Sequence, residues 1–212
     1  MKKLFAILLL AFAATTGARA ADMAETPYGF SWEGSYAGIF AGYGWGDSTH
    51  TQLGVTTSFD LDGGLVGITG GHNWQRGNIV YGIEIDAAWS GIDGSTTVLC
   101  STVCYTEIDF LATLRGRLGV AVNNWLFYGT AGIALAAVDA GLTAQPAAAS
   151  ETEFGWVAGL GAEVALNPAW SVKAEVLFVG LDDTPYGFGL INTDQGTLTT
   201  ARIGLNYHFG SM

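Results

Sequence analysis

The sequence predicts an all-β fold: an eight-stranded antiparallel transmembrane β-barrel with short periplasmic turns and longer extracellular loops. Three observations predict it. First, residues 79–91 alternate with a period of two, placing Ile79, Tyr81, Ile83, Ile85, Ala87 and Trp89 on one parity and Val80, Gly82, Glu84, Asp86, Ala88 and Ser90 on the other. That period belongs to a β-strand with one apolar face. Carboxylates on the second face suit the lumen of a barrel better than the core of a soluble sandwich. Second, the chain is 50% hydrophobic and 13% charged, with a mean hydropathy of +0.33, where an ordinary soluble domain carries about 25% charged residues. Yet no stretch after the first twenty residues approaches the ~20 apolar residues of a membrane helix, and only helices and closed barrels satisfy the backbone in lipid. Third, three short turns alternate with four longer loops, the asymmetry of outer-membrane barrels, with both termini on the periplasmic side.

The first twenty residues read as an export signal. Lys2 and Lys3 give a basic start, an apolar stretch follows, and Ala18-Arg19-Ala20 supplies a small-x-small cleavage site. The expected organisation is a signal peptide over 1–20, a short periplasmic tail over 21–32, the barrel over 33–209 and an extension over 210–212. The expected location is the outer membrane of a Gram-negative bacterium. Without Lys2, Lys3 and Arg19 the chain has five basic residues against nineteen acidic ones, a net charge of −14. Nucleic acid is therefore not an expected partner, since its phosphates require a basic patch.

Each element follows in order. Residues 34–46 form a first strand rich in Gly and aromatics, whose facing the pattern leaves open. A polar loop leads to the second strand, about 59–75, with Val66, Ile68, His72 and Trp74 outward and Thr69, Asn73 and Gln75 inward. Arg76-Gly77-Asn78 is a tight turn before the third strand. A loop over 92–103 precedes the fourth strand, 105–121, with Ile108, Phe110, Ala112, Leu114, Leu118 and Val120 outward and Glu107, Asp109, Thr113, Arg115 and Arg117 inward. Val122-Asn123-Asn124 turns the chain into a fifth strand, 125–138, dominated by Ala and Gly. After a loop over 139–153, Phe154, Trp156, Leu160, Val164 and Leu166 oppose Gly159, Gly161 and Glu163. Asn167-Pro168-Ala169 is the third turn. The seventh strand sets Trp170, Val172, Val176 and Phe178 against Ser171, Lys173 and Glu175. After a loop over 181–196, the eighth sets Ala201, Ile203, Leu205, Tyr207 and Phe209 against Thr200, Arg202, Asn206 and His208. Ten steps of ~3.3 Å along the third strand, tilted by ~40°, cover about 25 Å, the height of a barrel's apolar band. Aromatic residues near both strand ends form the two expected girdles.

The inward charges are the most informative residues. Arg115, Arg117, Lys173 and Arg202 share the inward faces with Glu84, Asp86, Glu107, Asp109, Glu163 and Glu175. An unpaired charge in a narrow interior is costly, and an eight-stranded barrel is just wide enough for side chains to fill. A network of ion pairs filling the lumen is expected; an ion or water path is the alternative. Cys100 and Cys104 suit a small disulfide at a loop tip in an exported protein, with two free thiols or a redox pair as the other readings. His50, His72 and His208 fall in three different settings, so no metal site is expected. No nucleophile elbow, H-E-x-x-H or phosphate loop is present, so neither an enzyme nor a cofactor is expected. The loops are acidic, which leaves divalent-cation bridging to lipopolysaccharide open.

Several stretches resemble one family. Trp32-Glu33-Gly34-Ser35-Tyr36-Ala37-Gly38, Gly42-Tyr43-Gly44-Trp45-Gly46, Gly70-Gly71-His72-Asn73-Trp74-Gln75 and Tyr81-Gly82-Ile83-Glu84-Ile85-Asp86 are followed by Arg115-Gly116-Arg117-Leu118-Gly119, Gly155-Trp156 and Ala201-Arg202-Ile203-Gly204-Leu205-Asn206-Tyr207. In order, they are similar to the small porin-like or opacity-like outer-membrane surface antigens of alphaproteobacteria. The resemblance implies an abundant, surface-exposed barrel tied to envelope integrity and host contact. It also implies that the barrel-assembly machinery reads Leu205, Tyr207 and Phe209 near the C-terminus. His72 stands where the family usually has Tyr, and Gly210-Ser211-Met212 follows the final Phe. The expected function is a structural surface protein whose lumen is filled by side chains. Its expected partners are outer-membrane lipid and lipopolysaccharide, the assembly machinery, and host or envelope partners through the loops. The alternative is a low-conductance porin for small solutes or ions.

Overall fold

The computed structural model describes residues 30–52, 55–96, 104–142, 149–181, 191–195 and 197–209. The expected signal peptide, most of the N-terminal tail, the C-terminal extension and the cysteine pairing lie outside the described residues. Nine strands run in chain order: β1 Gly34–Gln52, β2 Val55–Arg76, β3 Ile79–Thr96, β4 Cys104–Val122, β5 Trp125–Leu142, β6 Ala149–Asn167, β7 Trp170–Leu181, β8 Ile191–Gln195 and β9 Leu198–Phe209. Each pairs antiparallel with its chain neighbour from β1 to β7, and β7 pairs with β9. β9 and β8 then pair with successive stretches of β1, so together they make one eighth stave, and the sheet closes on itself.

Closure leaves no edge strand in the membrane-height part of the wall, so its backbone groups are paired around the cylinder. Side chains alternate accordingly. Large apolar residues such as Ile39, Ile68, Ile85, Trp89, Leu118, Ile133, Leu160 and Ile203 stand exposed on the outer wall. Charged and hydrogen-bonding residues lie buried inside. This is the reverse of a soluble barrel and matches a hydrocarbon surround.

The short turns have local causes. Gly77 and Asn123 both adopt left-handed backbone, at φ 62° and 55°, a region glycine enters freely and asparagine more readily than most residues. At the third turn the Asn167 side-chain oxygen accepts hydrogen bonds from the amides of Ala169 and Trp170, at 2.9 and 3.0 Å, an Asx turn that reverses the chain.

Two expectations are corrected. The strands outrun the apolar band: β1, β3, β5 and β6 continue through Asp47, Asp93, Asp139, and Glu151 with Glu153, where loops were expected. Polar residues above the band suit a strand facing water as well as a loop, so polarity alone does not mark the strand end. The second correction concerns β4. Trp89 faces Phe110 and the next pair is Ile92 with Ile108, so Ser90 and Gly91 stand against the single Asp109; against β5, where Phe110 faces Ala137 and Ile108 faces Val138, Asp109 is the extra residue. One added residue exchanges the two faces of everything beyond it. Ile108, expected outside, is 1% exposed within the barrel. Glu107 and Asp109, expected inside, stand exposed.

Above the apolar band, exposed carboxylates face one another in register. Asp47 pairs with Asp60, Asp62 with Asp93, and Asp93 with Glu107. Like charges directly opposite are destabilising. Asp93→Asn, flanked by carboxylates on both sides, should raise the urea midpoint of the refolded barrel in lipid vesicles at low salt. The gain should shrink as salt screens the wall; a lower midpoint would contradict the assignment of these faces.

Candidate functional site

The inward residues of β1–β7 and β9 sort into three layers. At the turn end, Trp32 is fully buried among Val80, Leu126, Tyr128 and Ala165, with Phe30 packed against them. The Trp32 amide donates to Gln75 Oε1 at 2.7 Å. Phe30, Trp32 and His208 meet edge-on, with centroids 4.7–5.8 Å apart. The end of the expected periplasmic tail therefore lies inside the mouth of the barrel.

The middle layer holds the charges. Glu84 accepts from Arg115 Nη2, from Lys173 Nζ at 2.9 Å and from the Tyr36 hydroxyl at 2.6 Å. Arg117 Nη1 lies 3.6 Å from the same carboxylate. Asp86 accepts from Arg115 at 2.8 Å, Arg202 at 3.0 Å and Thr113 at 2.7 Å. Glu175 accepts from Tyr128 at 2.8 Å and lies 3.4 Å from both Arg115 and Lys173. Glu163 accepts from Arg117 at 2.9 Å, Ser171 at 2.5 Å and Asn206 at 2.7 Å. Four cations thus meet four carboxylates, all buried, and the formal charges cancel.

The wall shapes this layer. Glu84 and Arg115 are neighbours in register on β3 and β4. Lys173 faces Glu163 in register on β6, yet its ammonium bonds to Glu84 on β3, across the lumen. Curvature directs inward side chains toward a common axis, so contacts form between strands that are not adjacent. Arg117 lies over the rings of Tyr128 and Tyr36, at 4.0 and 5.4 Å from their centroids, and Arg202 over Phe40 at 4.9 Å. Each such contact adds attraction to the ring face. Gly71 and Gly161 leave the space these tyrosines occupy; a Cβ at either position would collide with the Tyr36 or Tyr128 side chain.

The loop-side layer is mostly apolar. Leu61, Leu65, Ile92, Ile108, Leu111, Val157, Leu177, Val179, Leu181 and Leu198 form one buried cluster with Phe40 beneath them. Glu153 is also buried.

Of the residues the sequence placed in the lumen, Glu84, Asp86, Arg115, Arg117, Glu163, Lys173, Glu175 and Arg202 come together, while Glu107 and Asp109 do not. Sequence reasoning missed Tyr36 and Tyr128, because on β1 and β5 both parities are apolar or small. It also missed the roles of Ser171, Asn206 and His208, whose inward parity was the available signal. Leu205, Tyr207 and Phe209 share the outward face of β9, with Tyr207 and Phe209 exposed.

Ser171, His208 and Glu163 meet, but not as a nucleophile with its base. Glu163, ion-paired to Arg117, only accepts, so the Ser171 hydroxyl donates to it and is left to accept from His208 Nε2, 2.8 Å away. A nucleophilic serine donates to the histidine instead. The ring of residues also lies beneath Phe30 and Trp32. Among the described residues no group of three or more His, Cys, Asp or Glu is placed to hold a metal ion.

Removing one partner of a buried pair costs about 3–5 kcal/mol, because a lone charge remains. Arg117→Met should therefore destabilise the barrel strongly in urea titrations, and Arg117→Met with Glu163→Gln should recover part of the loss. Equal loss in both variants would show that charge pairing is not what Arg117 contributes.

Comparison with known proteins gives a consistent picture. A family model described as an outer membrane protein beta-barrel domain matches residues 5–209. The chain is 34% identical over 207 residues to the 31 kDa outer-membrane immunogenic protein of Brucella melitensis, covering 85% of each chain. It is 32% identical over 160 residues to the 22 kDa outer membrane protein of Rhizobium leguminosarum, covering 74% of this chain and 67% of that one. Among solved structures it superposes on the outer membrane protein OprG of Pseudomonas aeruginosa with a TM-score of 0.57 at 17% identity, covering 86% of this chain and 98% of that one.

Proposed function

The chain belongs to the outer membrane protein β-barrel family and is an integral outer-membrane protein; from that premise we propose that it is a structural surface protein whose lumen is closed by its own side chains. One observation carries this reading: the neutral, buried layer of four cations and four carboxylates lies between an aromatic cluster at one end of the lumen and an apolar cluster at the other. A conducting pore needs a wetted path with charges free to exchange partners with ions. Here every formal charge in the middle layer is committed to a neighbour. Exchange with a passing ion would leave a buried charge unpaired.

On this reading the protein contributes to the envelope by occupying it and by presenting its loop end to the outside. The relatives named immunogenic support surface exposure as the consequence. Lipopolysaccharide is proposed as the neighbour of the outer wall, and host or envelope proteins as partners of the loops. The outward alternation of Leu205, Tyr207 and Phe209 supports their role as the stretch read by the assembly machinery. A nucleophile–base pair is missing from the one Ser–His–Glu meeting point described above, and the reading includes no catalysis.

Two measurements test the proposal. In planar bilayers the purified protein should give no stable unitary openings, and Trp32→Ala should remain silent because the charged layer persists. A strain lacking the gene should become sensitive to detergent while its uptake of small solutes is unchanged. Stable openings of the wild-type protein, or an uptake defect without detergent sensitivity, would overturn the reading in favour of a pore.

A further inference from the structure

Of the five basic residues that follow Ala20, four are buried in the lumen and one, Arg76, stands exposed at the turn end of β2. Its surroundings are specific. Outward-facing residues of a strand recur every second position, so His72, Trp74 and Arg76 share the lipid-facing side of β2. Trp74 stacks on Tyr81 of β3, with centroids 5.7 Å apart and rings inclined by 19°. His72 meets Trp74 edge-on at 4.7 Å. Its Nδ1 is 2.9 Å from the hydroxyl of Ser35, its register partner on β1. Arg76 itself makes no ion pair among the described residues. Of the other exposed charges, Asp47, Asp60, Asp62, Asp93, Glu107 and Asp109 stand at the opposite end, while Glu33, just ahead of β1, is exposed at the turn end and makes no ion pair with Arg76.

We infer that Arg76, Trp74, Tyr81 and the His72–Ser35 pair form a site on the outer wall for the headgroup of an anionic phospholipid in the periplasmic leaflet. Charge complementarity selects the occupant. Arg76 is the exposed cation among the described residues, on a chain otherwise dominated by carboxylates, and an arginine at the membrane surface attracts anionic lipid by about 1 kcal/mol. Trp74 and Tyr81 fix the depth, because aromatic rings with a polar edge settle at the headgroup level. Arg76 lies beyond them and reaches the phosphate with a planar fork suited to two oxygens. His72 and Ser35 lie one layer deeper, where hydrogen-bonding groups on an otherwise apolar wall meet the glycerol ester oxygens. The position on the lipid-facing wall makes the lipid, rather than a free phosphate, the occupant.

Native mass spectrometry of the folded protein, released from detergent with equimolar dioleoyl phosphatidylglycerol and dioleoyl phosphatidylcholine, tests this directly. The first bound lipid should be phosphatidylglycerol by roughly fivefold, the ratio that corresponds to about 1 kcal/mol. Arg76→Gln should bring the ratio near one while the barrel remains heat-modifiable on gels. Ser35→Ala with His72→Phe should lower the retention of both lipids and keep the preference. Water-soluble glycerophosphoglycerol should displace nothing. No preference in the wild type, a preference that survives Arg76→Gln, or displacement by the soluble headgroup would each overturn the site. None of these outcomes bears on whether the lumen conducts, so the two readings fail separately.

Discussion

In hydrocarbon a backbone amide finds no water, and each one left unpaired costs several kcal/mol. Closing the sheet through β1 with β9 and β8 removes that cost, and the rest of the molecule follows from it. A closed cylinder divides every strand into an outer and an inner file. The outer file meets lipid and is apolar, as at Ile39, Ile68, Ile85 and Ile203. The inner file is narrow, and a charge buried there is costly unless other side chains neutralise it.

The middle layer meets this requirement by sharing. Glu84 has three cations around it, Arg115 has three carboxylates, and the tyrosines of β1 and β5 supply further donors. A buried pair is weak evidence of stability in itself, since apolar replacements often serve as well. Its value here is geometric. Lys173 joins β7 to β3, Arg117 joins β4 to β6, and Arg202 joins β9 to β3, so the layer braces the cylinder across its diameter. Apolar packing predominates toward the loops, where Leu111, Leu177 and Leu198 meet and Glu153 is buried with them.

The sequence made part of this legible. β2, β3, β7 and β9 alternate strongly, so their facing, and with it the inward position of Glu84, Asp86, Lys173, Glu175 and Arg202, could be read from period two alone. β1 and β5 could not be oriented, because Gly and Ala occur on both parities and leave Tyr36 and Tyr128 without contrast. The bulge at Asp109 was invisible for a different reason. An extra residue changes the facing of Glu107 and Ile108 without altering composition, and the apolar–polar rhythm continues smoothly across it. Nor could the placement of Phe30 and Trp32 be read locally, since their pocket is built from residues of β3, β5, β6 and β9.

That pocket has a consequence for the order in which the molecule forms. Trp32 lies two residues before the first strand, yet it rests beside His208, next to the last residue of the final strand. The two ends of the barrel segment are therefore neighbours only after the cylinder has shut. Until then the seat for Phe30 and Trp32 is incomplete, and those rings have nowhere dry to go. Docking of the leading aromatics is thus a late event, coupled to contacts between the two ends of the barrel segment, and the indole environment of Trp32 records completion of assembly from within the protein itself.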